Sequence, residues 1–241
     1  MLKLKMCSVA LACAVLAGCA GMPGSGPTSA PAGGSASAGS GSGGSAPGSS
    51  ARPLLDAGGF DAFELVTTPA STINAVLQPL PGGVIAVAGK PSGYVATRAE
   101  YTNYRLHAEW RWSGKPGNGG VLLHIQGGPK DNVWPLSQQV QTKHGFAGDI
   151  LPMAGAGFAE PLTTAPGAYP AIKGHTGADS ERPAGEWNSM DVVSRDGMIE
   201  VTINGVAQNR VTQAKPGSGR IGFQLEGVAY ELRNVTIVPL D

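Results

Sequence analysis

Cysteine, charge and aromatic rings are all scarce in this chain of 241 residues. Three cysteines occur, Cys7, Cys13 and Cys19, so no residue beyond position 19 can enter a disulfide. Charged residues make up 14% of the chain, and 17 basic side chains cancel 17 acidic ones. A nucleic-acid binder that relies on a basic field needs an excess of cations to displace counterions, and this chain has none. Aromatic residues account for only 6%. Long apolar runs are missing too: Met6 to Leu16 is apolar over 11 residues, too short for the roughly 20 of a bilayer-spanning helix. Glycine (37) and proline (19) are in excess instead, at about twice ordinary usage. Helices tolerate these residues least, which argues against a helical bundle.

The excess has two sources. Ala20 to Ser50 is a Gly/Ser/Ala/Pro run without a charged or aromatic residue. It cannot bury enough surface to offset its ordering entropy, so it reads as a flexible tether with a reach of roughly 30 Å. Before it, Lys3 and Lys5 precede the short apolar stretch, and Leu16-Ala17-Gly18-Cys19 follows. That order is the plan of a secretory leader, and the four residues resemble the bacterial lipobox. The resemblance implies a signal peptide over 1–18, cleavage before Cys19, acylation of its thiol and a membrane held through the lipid. Ala20 lacks the Asp that would favour the inner membrane, so an outer-membrane lipoprotein of the cell envelope is the expectation. The remainder, 51–241, is long enough for one domain with a sizeable core.

Period-two alternation dominates that domain. In Tyr104–Trp112 the residues Tyr104, Leu106, Ala108, Trp110 and Trp112 point one way and Arg105, His107, Glu109 and Arg111 the other. This is a strand with one buried face. Further strands are expected at 120–126, 137–143, 187–193, 198–203, 220–226 and 230–239. Asn204-Gly205 is a two-residue hairpin signal. Asp61 to Leu65 offers at most one helical turn. Many short strands joined by Gly/Pro turns predict an all-β, antiparallel two-sheet jelly-roll sandwich. Residues 144–186 are rich in Gly, Ala and Pro and weakly periodic; so long a segment is expected to cover one face of the sandwich. Strand parity assigns Trp110, Trp112 and Trp187 to the core.

Eight ordered pieces carry a resemblance: Gly93–Thr97, Tyr104–Arg111, Asn118–Val121, Gln141–Asp149, Gly185–Asn188, Ile203–Gly205, Gly219–Gly227 and Leu232–Ile237. Together they resemble the 3-keto-disaccharide hydrolase domain family over roughly residues 55–240. The resemblance implies a concanavalin-A-like sandwich and an enzyme that cleaves glycosides already oxidised to a ketone at C3. Such a ketone acidifies the C2 hydrogen. A base removes it, the enolate expels the anomeric group, and water adds to the enone. The route needs a base, a stabiliser for the enolate oxygen and a donor to the leaving group.

The expected site draws on polar strand faces. Glu109 and His124 are the expected catalytic pair, with His107 behind them. Arg111, Gln139, Gln141, Lys143, Gln224 and Glu226 are expected to bind substrate. Trp134, followed by Pro135 in a loop, is the candidate stacking platform. Two departures from the family pattern stand out: His124 where many relatives carry Arg, and Gln139 where the motif usually has Glu. An amide has no basic form to act as a general base. The chain is therefore either an enzyme using another base or a glycan binder on the same fold. Other readings stay open at this stage. Glu109 fits an ion pair with Arg111 or Arg105, His124 a packed histidine, and Asp149 a turn. A divalent metal on His107, His124 and Glu109 has no His-x-His or cysteine cluster to support it, and no cofactor is called for. A 3-keto-sugar or other glycan is the expected partner.

Overall fold

The computed structural model describes residues 50–241; the leader, Cys19 and the tether up to residue 49 lie outside the described residues. Among the described residues, fourteen strands make two antiparallel sheets. They are β1 (Arg52–Leu55), β2 (Phe63–Thr68), β3 (Leu77–Leu80), β4 (Val84–Val87), β5 (Ser92–Thr97), β6 (Tyr104–Arg111) and β7 (Gly120–Asp131). After these come β8 (Trp134–Gln141), β9 (Ile150–Met153), β10 (Asn188–Arg195), β11 (Met198–Ile203), β12 (Val206–Val211), β13 (Arg220–Leu225) and β14 (Tyr230–Pro239). The first sheet runs β12-β11-β10-β6-β14-β4-β3, with β1 also on β14; the second runs β2-β5-β13-β7-β8-β9. Among the described residues, helical structure is limited to single turns at Ile73–Val76 and Pro81–Gly83.

Alternation sets the layers. From the first sheet, Leu106 and Trp110 of β6, Val192 of β10, Val201 of β11 and Ile237 of β14 point inward. Val95 of β5, Phe223 of β13, Leu123 of β7 and Val140 of β8 meet them from the second. Each such side chain contributes roughly 1.5–3 kcal/mol by leaving water, which holds the sandwich shut. The Asn204-Gly205 turn joins β11 to β12 as expected. Both residues have positive φ, 49° and 80°, the backbone that the strand twist demands of a two-residue hairpin.

Three expectations need correcting. Asp61–Leu65 is no helical turn: β2 begins at Phe63 and pairs with β5 from Phe63↔Thr97 onward. Residues 144–186 are not one loop, because β9 adds a short edge strand to β8 through Gln139↔Leu151. Pro152 within it and Gly148 and Gly155 on either side hide its four residues from a periodicity reading. The remainder spans both sheets: Lys173 pairs with Ile150 of β9, while Asn209 Nδ2 donates to the Lys173 carbonyl and Thr212 bonds Glu160 at the first sheet's edge. Trp187, finally, is outside the core. It precedes β10 and lies half-buried between two arginines on an outer face, while Trp110 and Trp112 are buried.

Candidate functional site

The outward face of the second sheet is hollow, and its polar side chains share one cavity of about 290 Å³. Adjacent strands put one glutamine beside the next. Gln139 and Gln141 sit two apart on β8, hence on one face, and Gln224 comes from β13. Gly120, on β7 between them, leaves the room they need: a Cβ there would lie 2.8 Å from both Gln139 Nε2 and Gln224 Oε1. The three amides form a row. Gln224 Nε2 donates to Gln139 Oε1 (3.1 Å), and Gln139 Nε2 donates to Gln141 Oε1. All three are buried, and Gln224 Oε1 has no partner.

Ionisable groups stand at the rim. Glu226 follows β13 beside Asn118 and is half-buried. Burial pushes its carboxyl above the ordinary glutamate range, against the opposing pull of the Lys143 charge and an Asn118 hydrogen bond. Lys143 lies over the Phe146 ring at 4.7 Å. Asp149, buried just before β9, is held by His175, which donates its backbone N–H (2.7 Å) and Nδ1–H (2.6 Å) to Oδ1. Apolar walls complete the cavity: Trp134, Leu151, Met153 and, from the covering segment, Tyr169, Pro170 and Ile172. Tyr169 is 72% exposed, and its hydroxyl donates to Asp131 Oδ2 (3.0 Å) on the β7–β8 hairpin.

Trp134, Gln139, Gln141, Lys143, Gln224 and Glu226 of the expected site therefore line one cavity. Glu109, His124 and Arg111 do not. Glu109 and Arg111 lie on β6, in the other sheet, and face away from the core. There Glu109 receives Arg233 Nε (2.7 Å) and Asn234 Nδ2 (2.7 Å), while Arg111 Nε reaches Glu231 (2.5 Å). Burial raises the Glu109 carboxyl, but these hydrogen bonds and the charges of Arg233 and His107 outweigh it and hold the group below the usual range. Its ion partner is Arg233, not Arg111 or Arg105. His107 bonds Asp191 (2.9 Å), and Trp187 lies between Arg111 and Arg233 at 4.7 and 4.1 Å.

His124 is turned into the interior by a bulge. The β7–β8 register shifts between Leu123 and Gln126, and His124 takes a φ of 57°. Two successive residues then point inward, as a bulge allows. His124 is fully buried, donating Nδ1–H to the Pro216 carbonyl (2.9 Å) and accepting from Ser194 Oγ at Nε2 (2.9 Å). Burial lowers its pKa to about 4. Held neutral inside the sandwich, it cannot reach the cavity. His107, His124 and Glu109 accordingly do not converge, and among the described residues no group of three His, Cys, Asp or Glu side chains is arranged to hold a metal.

Comparison with known proteins agrees with this architecture. The model of the 3-keto-alpha-glucoside-1,2-lyase-like domain matches residues 51–238. A candidate glycosyl hydrolase from Parabacteroides distasonis has a similar fold, with TM-score 0.56 and 24% identity, over 76% of this chain and 90% of its own. A second from the same organism gives 0.52 and 18%, over 74% and 99%. The carbohydrate-binding module CBM66 from Bacillus subtilis gives 0.51 and 9%, over 73% and 95%. No curated protein matches the sequence.

Proposed function

The chain belongs to the 3-keto-alpha-glucoside-1,2-lyase-like family, so its function is glycan-related, and from that premise we propose that it cleaves glycosides carrying a ketone at C3. The observation that carries the reading is Glu226: a half-buried carboxylate, raised by desolvation, at the rim of a cavity floored by amides. A raised carboxylate is a stronger base once ionised, and its pKa moves toward working pH.

In this mechanism Glu226 takes the C2 proton, and the C2–H electron pair moves toward the C3 carbonyl oxygen. The enolate then collapses to form the C1–C2 double bond and expels the anomeric oxygen, which takes a proton from water. Lys143, the cation among the lining residues, offsets the enolate charge. Water adding across the enone would complete a net hydrolysis. Trp134 and Tyr169 offer apolar faces to the sugar ring. The test is release of free sugar from a 3-keto-glucoside by the full chain. Turnover that Glu226→Gln abolishes supports the mechanism; no turnover by the unaltered chain, with binding retained, leaves the glycan binder that Gln139 in place of a carboxylate suggests.

The leader supports a second part of the proposal, that the domain is tethered to a membrane through an acylated Cys19. Labelling with a radioactive fatty acid should vanish in Cys19→Ala, and undiminished labelling would refute the anchor.

A further inference from the structure

The cavity on the second sheet is wide, and it has a neighbour. It crosses β13, β7, β8 and β9, from Gln224 and Glu226 to Leu151 and Met153. Three strand spacings make that width about 14 Å, room for two linked sugar rings. A second cavity of about 230 Å³ lies beyond it, between the end of β9 and the covering segment. Met153, Tyr169 and Pro170 line both cavities and form the wall between them. Neither the 290 Å³ of the first nor the 230 Å³ of the second reaches the roughly 300–1,000 Å³ of a small-molecule site, whereas the two joined do.

The wall is anchored, and polar groups stand beyond it. Thr163 and Thr164 donate their N–H groups to the Ile172 carbonyl (2.8 and 3.3 Å), which cinches the loop that carries Tyr169. At its tip the Tyr169 hydroxyl donates to Asp131 Oδ2 (3.0 Å), so an exposed aromatic ring is held in one place. A ring already held loses little freedom when a sugar stacks on it. Asp131 also receives Asn132 Nδ2 at Oδ1 (3.1 Å), and a carboxylate's remaining lone pairs can accept from sugar hydroxyls. Gly155 lines the same cavity, and a Cβ there would lie 3.6 Å from Lys130 Nζ, which brings an ammonium to its edge. We infer that the two cavities form one groove, and that its ligand is a glycan of three or more units whose outer unit stacks on Tyr169 and bonds Asp131 and Lys130. The inference rests on the proposed function and adds chain length to it, since the first cavity already has room for the two sugars on either side of the cleaved bond.

The experiment is equilibrium titration of the full chain with gluco-oligosaccharides of one to four units, α-1,4-linked in one series and β-1,4-linked in another. Affinity should rise about tenfold from two units to three in one of the series, and little from three to four. Ala168→Leu and, separately, Ala171→Leu place a branched side chain in the second cavity. Both should erase that gain while one- and two-unit sugars bind as before. Lys130→Ala should reduce the gain about threefold. Equal affinity for two and three units in both series, or a gain that survives both leucines, would overturn the groove and leave the proposed function standing. A gain that the leucines erase, with no sugar released from a 3-keto-glucoside, would keep the groove and refute the cleavage. An unaltered chain that binds none of these sugars would overturn the groove, and release of sugar from the 3-keto-glucoside would then decide the cleavage by itself.

Discussion

The outward faces of the two sheets carry similar side chains in opposite states. On the first sheet, Asp191, His107, Glu109, Arg233, Arg111 and Glu231 bond one another beside Trp187, and each carboxylate holds a hydrogen-bonded partner. On the second, Gln224 keeps a buried oxygen without a partner, and Glu226 is desolvated beyond what Lys143 and Asn118 offset. A satisfied network stabilises the fold and asks for nothing more. An unsatisfied one is a place where a ligand can bind with gain. Polar residues on a strand are thus no guide to a site; their remaining bonding capacity is.

Substitutions on either face test this contrast. The largest effect is expected at Glu226: Glu226→Gln should lower turnover of a 3-keto-glucoside by roughly 10²–10⁴-fold. The rate of the unaltered chain should rise with pH, with its midpoint above the ordinary glutamate value, because the base must be ionised and burial raises its pKa. A midpoint at or below that value would remove Glu226 from the role. His124 should instead affect stability. Its folded pKa is about 4 and its unfolded value near 6.5, so the unfolded chain binds a proton first as pH falls. Stability present above pH 6.5 should be lost by about 3 kcal/mol down to pH 4. Urea unfolding of His124→Asn, which accepts a positive φ, should lack that slope.

Smaller effects separate the two faces further. Gly120→Ala places a Cβ against the Gln139 and Gln224 amides and should weaken sugar binding about tenfold, with little change in melting temperature. Glu109→Gln should do the reverse, costing about 1–2 kcal/mol of stability through the Arg233 and Asn234 bonds while turnover stays within about threefold. A collapse of turnover in Glu109→Gln would invert the comparison.

Much of the fold was legible because β6, β10, β11 and β13 alternate cleanly, whereas β14 changes phase at a bulge at Asn234. The early strands were harder: β3 contains Pro79, β4 has four apolar or small residues in a row, and β9 sits among glycines and prolines. For the site, parity correctly put Glu109 and Gln139 on outward faces. It could not say that β6 and β8 belong to different sheets, since that depends on long-range pairing. His124 was misplaced by a bulge, where the rule of two fails. Phe146 and Asp149 lay inside a piece of the family pattern, and Tyr169 inside the segment expected to cover a face. Their meeting with Glu226 required the folded chain.

A crystal of the full chain soaked with methyl 3-keto-glucoside at acid pH, where a protonated Glu226 cannot take the C2 proton, locates the uncleaved sugar directly. The sugar should lie in the cavity of the second sheet, with its C2 carbon toward Glu226 and its ring over the Gln139, Gln141 and Gln224 amides. A sugar bound instead against Trp187, Arg111 and Glu109 on the first sheet would contradict the account.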